Sequence, residues 1–182
     1  MRGSVFLGVL AVALVVPTQV RADVADSAAN GFTVKLAVTI RASPQEVYQR
    51  LVRKIGDWWD SSHTFSGDAH NLSIVDKPMG CFCEKLPNGG AARHMEVINA
   101  DPDKVLVLSG GLGPLQSMAV TGSMTIQLGA VRDDGTKVSV MYAVVGYSPD
   151  GMNTLAAPVD SVLTQQFMRL KSFVENGKAA PK

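Results

Sequence analysis

Polar and apolar residues alternate strictly from residue 32 to residue 41 of the chain. A period of two predicts a strand with one buried face, which would carry Val34, Leu36, Val38 and Ile40. The tetrapeptide from Ser43 to Glu46 follows, a capping box with proline at the first helical position, and it predicts the start of a helix. Apolar residues at helical spacing continue to Ile55, where Gly56 is expected to end the helix, and a second short helical turn is predicted at residues 57–60.

The middle of the chain predicts a series of short strands joined by turns. Segments rich in Gly, Pro, Asn and Asp recur between residues 77 and 135 and separate short apolar runs. Regular short strands with turn residues between them favour an antiparallel meander. One long amphipathic helix is then predicted from about residue 157 to residue 175, with Asn176 and Gly177 at its end. The chain is therefore expected to form an α+β domain, one sheet covered by one long helix.

This order of elements resembles the START-like (SRPBCC) superfamily, which includes the birch-pollen-allergen proteins and the polyketide cyclase/dehydrase-like proteins. The residues that carry the resemblance are the Trp58-Trp59 pair, Gly80 before Cys81-Phe82-Cys83-Glu84, the Asp101-Pro102 turn before Val105 to Leu108, and Gly113-Pro114-Leu115. The resemblance implies a helix-grip fold: a curved antiparallel sheet of about six to seven strands wrapped on the C-terminal helix, with two short helices after the first strand. It also implies a cavity between sheet and helix, but no particular reaction.

The first 22 residues have the form of a secretory signal peptide. Arg2 supplies the positive start, residues 5–16 form a short apolar run, and Val20-Arg21-Ala22 resembles a cleavage site. The predicted divisions are a signal peptide at 1–22, a disordered segment at 23–31, the START-like domain at 32–177 and a disordered tail at 178–182. The protein is therefore predicted to be periplasmic or secreted, without a stable membrane anchor.

Export changes what the charge implies about partners. Because residues 1–22 contain Arg2 and Arg21 and no acidic residue, their removal lowers the formal net charge from +1 to −1. A nearly neutral protein has no electrostatic footprint for nucleic acid. Export also argues against a protein-interaction module of the chaperone-ATPase-activator kind, which acts in a compartment rich in ATP.

The expected partner is a small hydrophobic molecule or lipid, held without a cofactor in the cavity between sheet and helix. Inward strand positions and the apolar stripe of the long helix are expected to line this cavity. The candidate ligand-binding residues are Trp59, Met124, Tyr142, Leu163, Gln166, Phe167 and Leu170. The Gln166 amide needs hydrogen-bond partners when buried, and a ligand could be one of them. The Tyr142 hydroxyl also needs a partner, which could be a ligand or a backbone carbonyl.

An alternative is a metal site on the predicted hairpin around Pro87 to Gly90. A four-residue loop there would place Cys83 opposite His94 and Cys81 opposite Glu96. Thiol, imidazole and carboxylate groups on one face suit zinc. In a regular strand the two cysteines would lie about 6.5 to 7 Å apart, so the sequence predicts free thiols rather than a disulfide. The competing interpretation makes the cysteines small buried side chains and His94 with Glu96 a surface ion pair.

A second alternative is an enzyme of the cyclase or dehydratase type acting in the same cavity. Glu84 would face Arg93 in the predicted register, so a cross-strand ion pair is one expectation for it. The other is a cavity acid with a raised pKa, working with His94 or Tyr142 in proton transfer. The sequence assigns no residue as catalytic, and whether the protein is an enzyme stays open at this stage.

Overall fold

The computed structural model describes residues 21–132 and 135–181. Within them lies one antiparallel sheet of eight strands, in the order β1-β2-β8-β7-β6-β5-β4-β3. The strands are β1 (Arg21–Ala28), β2 (Gly31–Ile40), β3 (Leu72–Ile74), β4 (Cys81–Lys85), β5 (Ala91–Asp101), β6 (Val105–Ser109), β7 (Val120–Val131) and β8 (Gly135–Gly146). The helices are α1 (Pro44–Arg53), α2 (Ile55–Trp58) and α3 (Ala156–Asn176). The predicted α+β helix-grip fold is therefore confirmed, with more strands than the sequence indicated.

The extra strand is β1, and it corrects the prediction of a disordered segment at residues 23–31. Backbone hydrogen bonds pair β1 with β2, and a bulge between Val24 and Asp26 interrupts the pairing. Sequence pattern did not reveal this strand because most of its described side chains are exposed and it has no continuous apolar face. An edge strand of this kind is held by its backbone rather than by side-chain burial. The predicted signal peptide lies outside the described residues except for Arg21 and Ala22, which begin β1.

The two short helices after β2 are confirmed, but their boundary differs from the prediction. Ser43 Oγ accepts a hydrogen bond of 3.2 Å from the Glu46 N–H, as the capping box requires. Helix α1 ends at Arg53, and Gly56 lies inside α2 instead of ending α1. A Cβ on Gly56 would lie 2.9 Å from the Cα of His70. This glycine therefore permits the close approach of another segment rather than stopping a helix.

Helix α3 packs against β1 and β2, and its C-terminal half is tied to the end of β2. Lys171 Nζ donates to the Thr39 carbonyl at 2.6 Å, and the Arg41 N–H donates to Glu175 Oε1 at 2.8 Å. The helix ends at Gly177, whose φ of 71° is left-handed, as predicted for a helix stop. Among the described residues, no helix is both long enough and apolar enough to span a membrane.

The segment after Gly177 was expected to be disordered, but its described residues contact α3. Ser172 Oγ donates to the Lys178 carbonyl at 2.9 Å, and the Arg169 guanidinium donates to the Ala180 carbonyl. Ala179 packs against the hydrophobic core. The polar composition of this segment gave no sign of these contacts, because they run through backbone carbonyls that every residue carries.

Candidate functional site

A cavity of about 390 Å³ lies between the sheet and the N-terminal half of α3. Its walls come from four parts of the chain: the loop after α2, the turn after β6, the sheet itself and the start of α3. Their residues are Trp59 and 62–65, then 112–115, then His94 and Tyr142, and finally Leu155, Pro158, Val159, Val162 and Leu163. The wall is mostly apolar, and its size falls within the range of about 300 to 1,000 Å³ typical of small-molecule sites.

The two halves of α3 play different parts. Val159, Val162 and Leu163 border the cavity, whereas the residues one and two turns further on fill the core. Leu170 is completely buried, and Phe167 packs against Trp58 with 6.2 Å between ring centroids. The helix therefore covers an open space at one end and closes a packed interior at the other.

The predicted ligand-binding residues fall into two groups, those that line the cavity and those that lie in the packed core. The structure places Trp59, Tyr142 and Leu163 in the cavity wall. It places the other four, Met124, Gln166, Phe167 and Leu170, in the buried core and not among the residues that line the cavity. These four do not line the cavity, because helical or strand periodicity identifies the inward face but not which stretch of that face borders open space. A ligand-binding role for the seven residues stays a prediction.

Gln166 has a structural role at the junction of helix and loop. Its Oε1 accepts a hydrogen bond of 2.9 Å from the backbone N–H of Asp60. The Asp60 carboxylate in turn accepts from the Ser62 N–H at 2.9 Å and caps the short 3₁₀ turn that follows. The loop that carries Trp59 and residues 62–65 is thus fastened to α3.

Tyr142 lines the cavity, yet backbone groups occupy its hydroxyl. The hydroxyl donates to the Gly110 carbonyl at 3.1 Å and accepts from the Leu112 N–H at 2.9 Å. Burial raises the pKa of Tyr142 to about 12, opposed by the hydrogen bond from Leu112. The sequence left either a ligand or a backbone carbonyl as the partner of this hydroxyl, and the structure shows backbone partners. Tyr142 therefore holds the turn after β6 in place at the rim.

The β4–β5 hairpin departs from the predicted register at a bulge. Cys81 pairs with Glu96 and Phe82 with Met95, as expected, but Cys83 pairs with Arg93. His94 is therefore the extra residue of the bulge and has no partner on β4. His94 and Met95 are both buried, so the bulge brings two successive side chains to the inner side.

Glu84 is buried beneath His94 and does not pair with Arg93. His94 Nε2 lies 2.9 Å from Glu84 Oε2, and both side chains are almost inaccessible to solvent. The Glu84 carboxylate also accepts hydrogen bonds from the backbone N–H groups of Phe65 and Ser66. Arg93 instead pairs with Glu96 at 3.0 Å on the outer side. The expected cross-strand ion pair is thus replaced by a buried carboxylate–imidazole pair.

The pKa of Glu84 moves in the opposite direction from that of a cavity acid. Burial alone raises this pKa, but hydrogen bonds from Ser66, Phe65 and His94 to the carboxylate outweigh it and bring the pKa below its ordinary value. Glu84 is therefore an ionised anchor that orients His94 and fastens the loop at residues 65 and 66. A raised pKa, the property expected of a proton-donating Glu84, is absent.

The predicted metal site is wrong for the described residues. Cys81 and Cys83 form a disulfide, with Cα atoms 5.3 Å apart. This Cα–Cα distance is shorter than the regular spacing of about 6.5 to 7 Å on which the prediction of free thiols depended. The sulfurs are not free thiolates, His94 does not face Cys83, and no group of three potential metal-ligating side chains is found in the described part of the chain.

Sequence reasoning missed several residues of the cavity wall. Phe65 is half-exposed and stacks on His94, with ring centroids 5.4 Å apart and planes 6° from parallel. Leu112 and Leu115 enter from the turn after β6. The available signal was the apolar residues inside otherwise polar or glycine-rich loops.

Comparison with solved structures supports the fold. A conserved protein of unknown function from Enterococcus faecalis, EF2215, aligns over 90% of this chain and 81% of its own, with a TM-score of 0.61 and 17% identity. CalU16 from Micromonospora echinospora aligns over 89% and 87%, with a TM-score of 0.59 and 12% identity. Ara h 8.0201 aligns over 79% of this chain and 97% of its own, with a TM-score of 0.56 and 15% identity.

These likenesses, at such low identity, establish the fold alone. No protein-family model matches the sequence, and no curated protein matches it. The class of protein is therefore defined by its architecture: a helix-grip fold of the START-like kind, with an apolar cavity under the first half of its long helix. The resemblance stated from the sequence is confirmed at this level.

Proposed function

We propose that this protein binds a small hydrophobic molecule or lipid in the cavity between the sheet and α3. The observation that carries the proposal is the cavity of about 390 Å³, with a wall that is largely apolar. Burial of apolar ligand surface supplies roughly 25 cal/mol per Å², which makes such a space a favourable site for an apolar compound. The hydrogen bonds of Asp60, Glu84 and Tyr142 support it further, because they hold the loops around the cavity in place.

A tryptophan introduced into the cavity wall tests this proposal. We expect wild-type protein to bind the apolar dye N-phenylnaphthylamine saturably, with an increase in dye fluorescence. Val159→Trp places a large ring in the space, so affinity should fall roughly tenfold or more. Ser161→Trp is the matched control, since residue 161 lies on the exposed side of the same helix and its variant should bind like wild type. Equal affinity of both variants, or no saturable binding by wild type, would count against the proposal.

A second candidate is an enzyme of the cyclase or dehydratase type in the same cavity. The Glu84–His94 pair favours it, because a carboxylate that orients an imidazole is the usual arrangement of a general base. Recovery of cavity-bound compounds after incubation distinguishes the two functions. A binding protein returns them chemically unchanged.

The proposed site of action is the periplasm or the extracellular space. The sequence of residues 1–22 supports export, and so does the Cys81–Cys83 disulfide, since disulfides persist mainly in oxidising compartments. The full-length chain expressed in a Gram-negative bacterium should appear in the periplasmic fraction, begin at Asp23 and contain no free thiol. Retention in the cytoplasm with an intact N-terminus would contradict export.

A further inference from the structure

His94 reaches the cavity because of the bulge in β5. In a regular hairpin it would lie opposite Cys83, whose side chain is not on the buried side. As the extra residue, His94 is turned inward, is only 3% exposed and forms part of the cavity wall. Bulges often redirect a side chain beside a functional site.

Only one edge of the His94 ring has a partner within the described chain. Nε2 is held at 2.9 Å by Glu84 Oε2, whereas Nδ1 is buried and has no hydrogen-bond partner. A carboxylate can only accept hydrogen bonds, so Nε2 is the donor in this pair. In the neutral ring, Nδ1 then carries a lone pair that no group among the described residues satisfies. Buried polar atoms seldom lack a hydrogen-bond partner, and each atom that does calls for an explanation.

Other polar side chains of the wall already have partners. Ser62 Oγ donates to Asp60 Oδ1 at 2.9 Å, and Thr64 Oγ1 donates to the Ser61 carbonyl at 2.7 Å. The Tyr142 hydroxyl both donates to and accepts from backbone groups. A polar group on a ligand would therefore find an unsatisfied partner at Nδ1 of His94.

The surroundings of His94 favour an apolar ligand body. Phe65 stacks on one side of its ring, and the Phe82 ring lies 5.0 Å away between centroids. Trp59, also in the cavity wall, packs edge-on against Phe82 at 5.4 Å. Aromatic rings of this kind pack well against a flat apolar molecule.

We infer that the ligand class is an apolar compound bearing a hydroxyl group, which hydrogen-bonds to Nδ1 of His94. This inference rests on the proposed function and adds the polar feature that the ligand must carry. A hydroxyl satisfies Nδ1 in either protonation state of the ring, because it donates to the neutral imidazole and accepts from the imidazolium. His94 is then the residue that selects among apolar compounds of similar size.

The test compares 2-naphthol with naphthalene, which has the same ring system without the hydroxyl. We expect wild-type protein to bind 2-naphthol roughly tenfold more tightly, the effect of one net hydrogen bond to a buried group. His94→Phe should abolish this preference while keeping affinity for naphthalene. His70→Gln is the matched control, because His70 is largely exposed and pairs with Asp68 and Asp57 outside the cavity. It should keep the wild-type preference.

The outcomes separate this inference from the proposed function. Equal binding of both compounds by wild type overturns the role of His94 and leaves the apolar cavity intact as a binding site. Binding of neither compound overturns both. If His94→Phe fails to fold, ¹⁵N-histidine spectra of wild type replace it, with His63→Gln and His70→Gln spectra assigning the other two rings. The Nδ1 resonance of His94 should shift with 2-naphthol and not with naphthalene, and an unchanged resonance under saturating 2-naphthol contradicts the inference.

Discussion

Replacement of Glu84 by glutamine is expected to lower the free energy of unfolding by about 2 to 4 kcal/mol at neutral pH. Glu84 is 1% exposed and accepts hydrogen bonds from two backbone N–H groups and from the His94 ring. A glutamine amide has one acceptor oxygen and an NH₂ group that would face another donor. At least one buried N–H is therefore left without a partner, and the loop at residues 65 and 66 loses its anchor.

The effect of Glu84→Gln should depend on pH with a definite sign. The pKa of folded Glu84 lies below the unfolded value of 4.5. The contribution of ionised Glu84 to the free energy of unfolding is therefore complete above the unfolded pKa. It is lost as the pH falls through the lowered pKa of the folded state. Urea denaturation of the wild type and of Glu84→Gln, from neutral pH to below the folded pKa of Glu84, measures this contribution. The difference between them should be largest at neutral pH and approach zero once Glu84 is protonated in the wild type as well.

Glu96→Gln is the matched control for this experiment. Glu96 lies on the neighbouring strand, but its carboxylate is 39% exposed and pairs with Arg93 on the outer side. Surface substitutions of this kind change stability by about 0.5 kcal/mol or less. Similar losses for the two glutamine variants would mean that the buried Glu84–His94 pair does not hold the site together.

Replacement of Leu170 by alanine should also have a large effect. We expect it to lower the free energy of unfolding by about 3 to 4 kcal/mol. Leu170 is completely buried in the C-terminal half of α3, where neighbours surround it on every side. Leu163→Ala removes the same atoms about two turns earlier in the helix, from a side chain that borders the cavity. Leu163 is also buried, at 1% exposure, but part of its surface borders the cavity, so it has fewer contacts to lose and its variant should lose only about 2 kcal/mol.

The two leucine variants should also differ in ligand binding. Leu163→Ala enlarges the cavity and should change the affinity for N-phenylnaphthylamine, whereas Leu170→Ala should leave it within about twofold of wild type. Chemical denaturation and dye titration of the same samples give both quantities. Greater destabilisation by Leu163→Ala, or loss of dye binding in Leu170→Ala, would contradict the division of α3 into a cavity-covering half and a core-packing half.

The local pattern of the sequence was enough for most of the architecture. Alternation predicted β2, the capping box at Ser43 predicted the start of α1, and the apolar stripe with Gly177 predicted α3. These features depend on interactions between residues close in sequence, together with the need to bury one face of each element. The edge strand β1 escaped detection because it is held by backbone pairing, which leaves no mark on side-chain pattern.

The site depended on features that sequence pattern does not encode. A bulge of one residue turned His94 inward and moved it away from Cys83, and Cys81 and Cys83 form a disulfide instead of a metal site. Helical spacing placed Leu163 and Leu170 on the same face, but only the packing of α3 across the sheet decided which of them borders the cavity. The sequence by itself thus determined the elements and their buried faces, through short-range periodicity. The tertiary structure decided register and open space, because both arise from how distant segments meet.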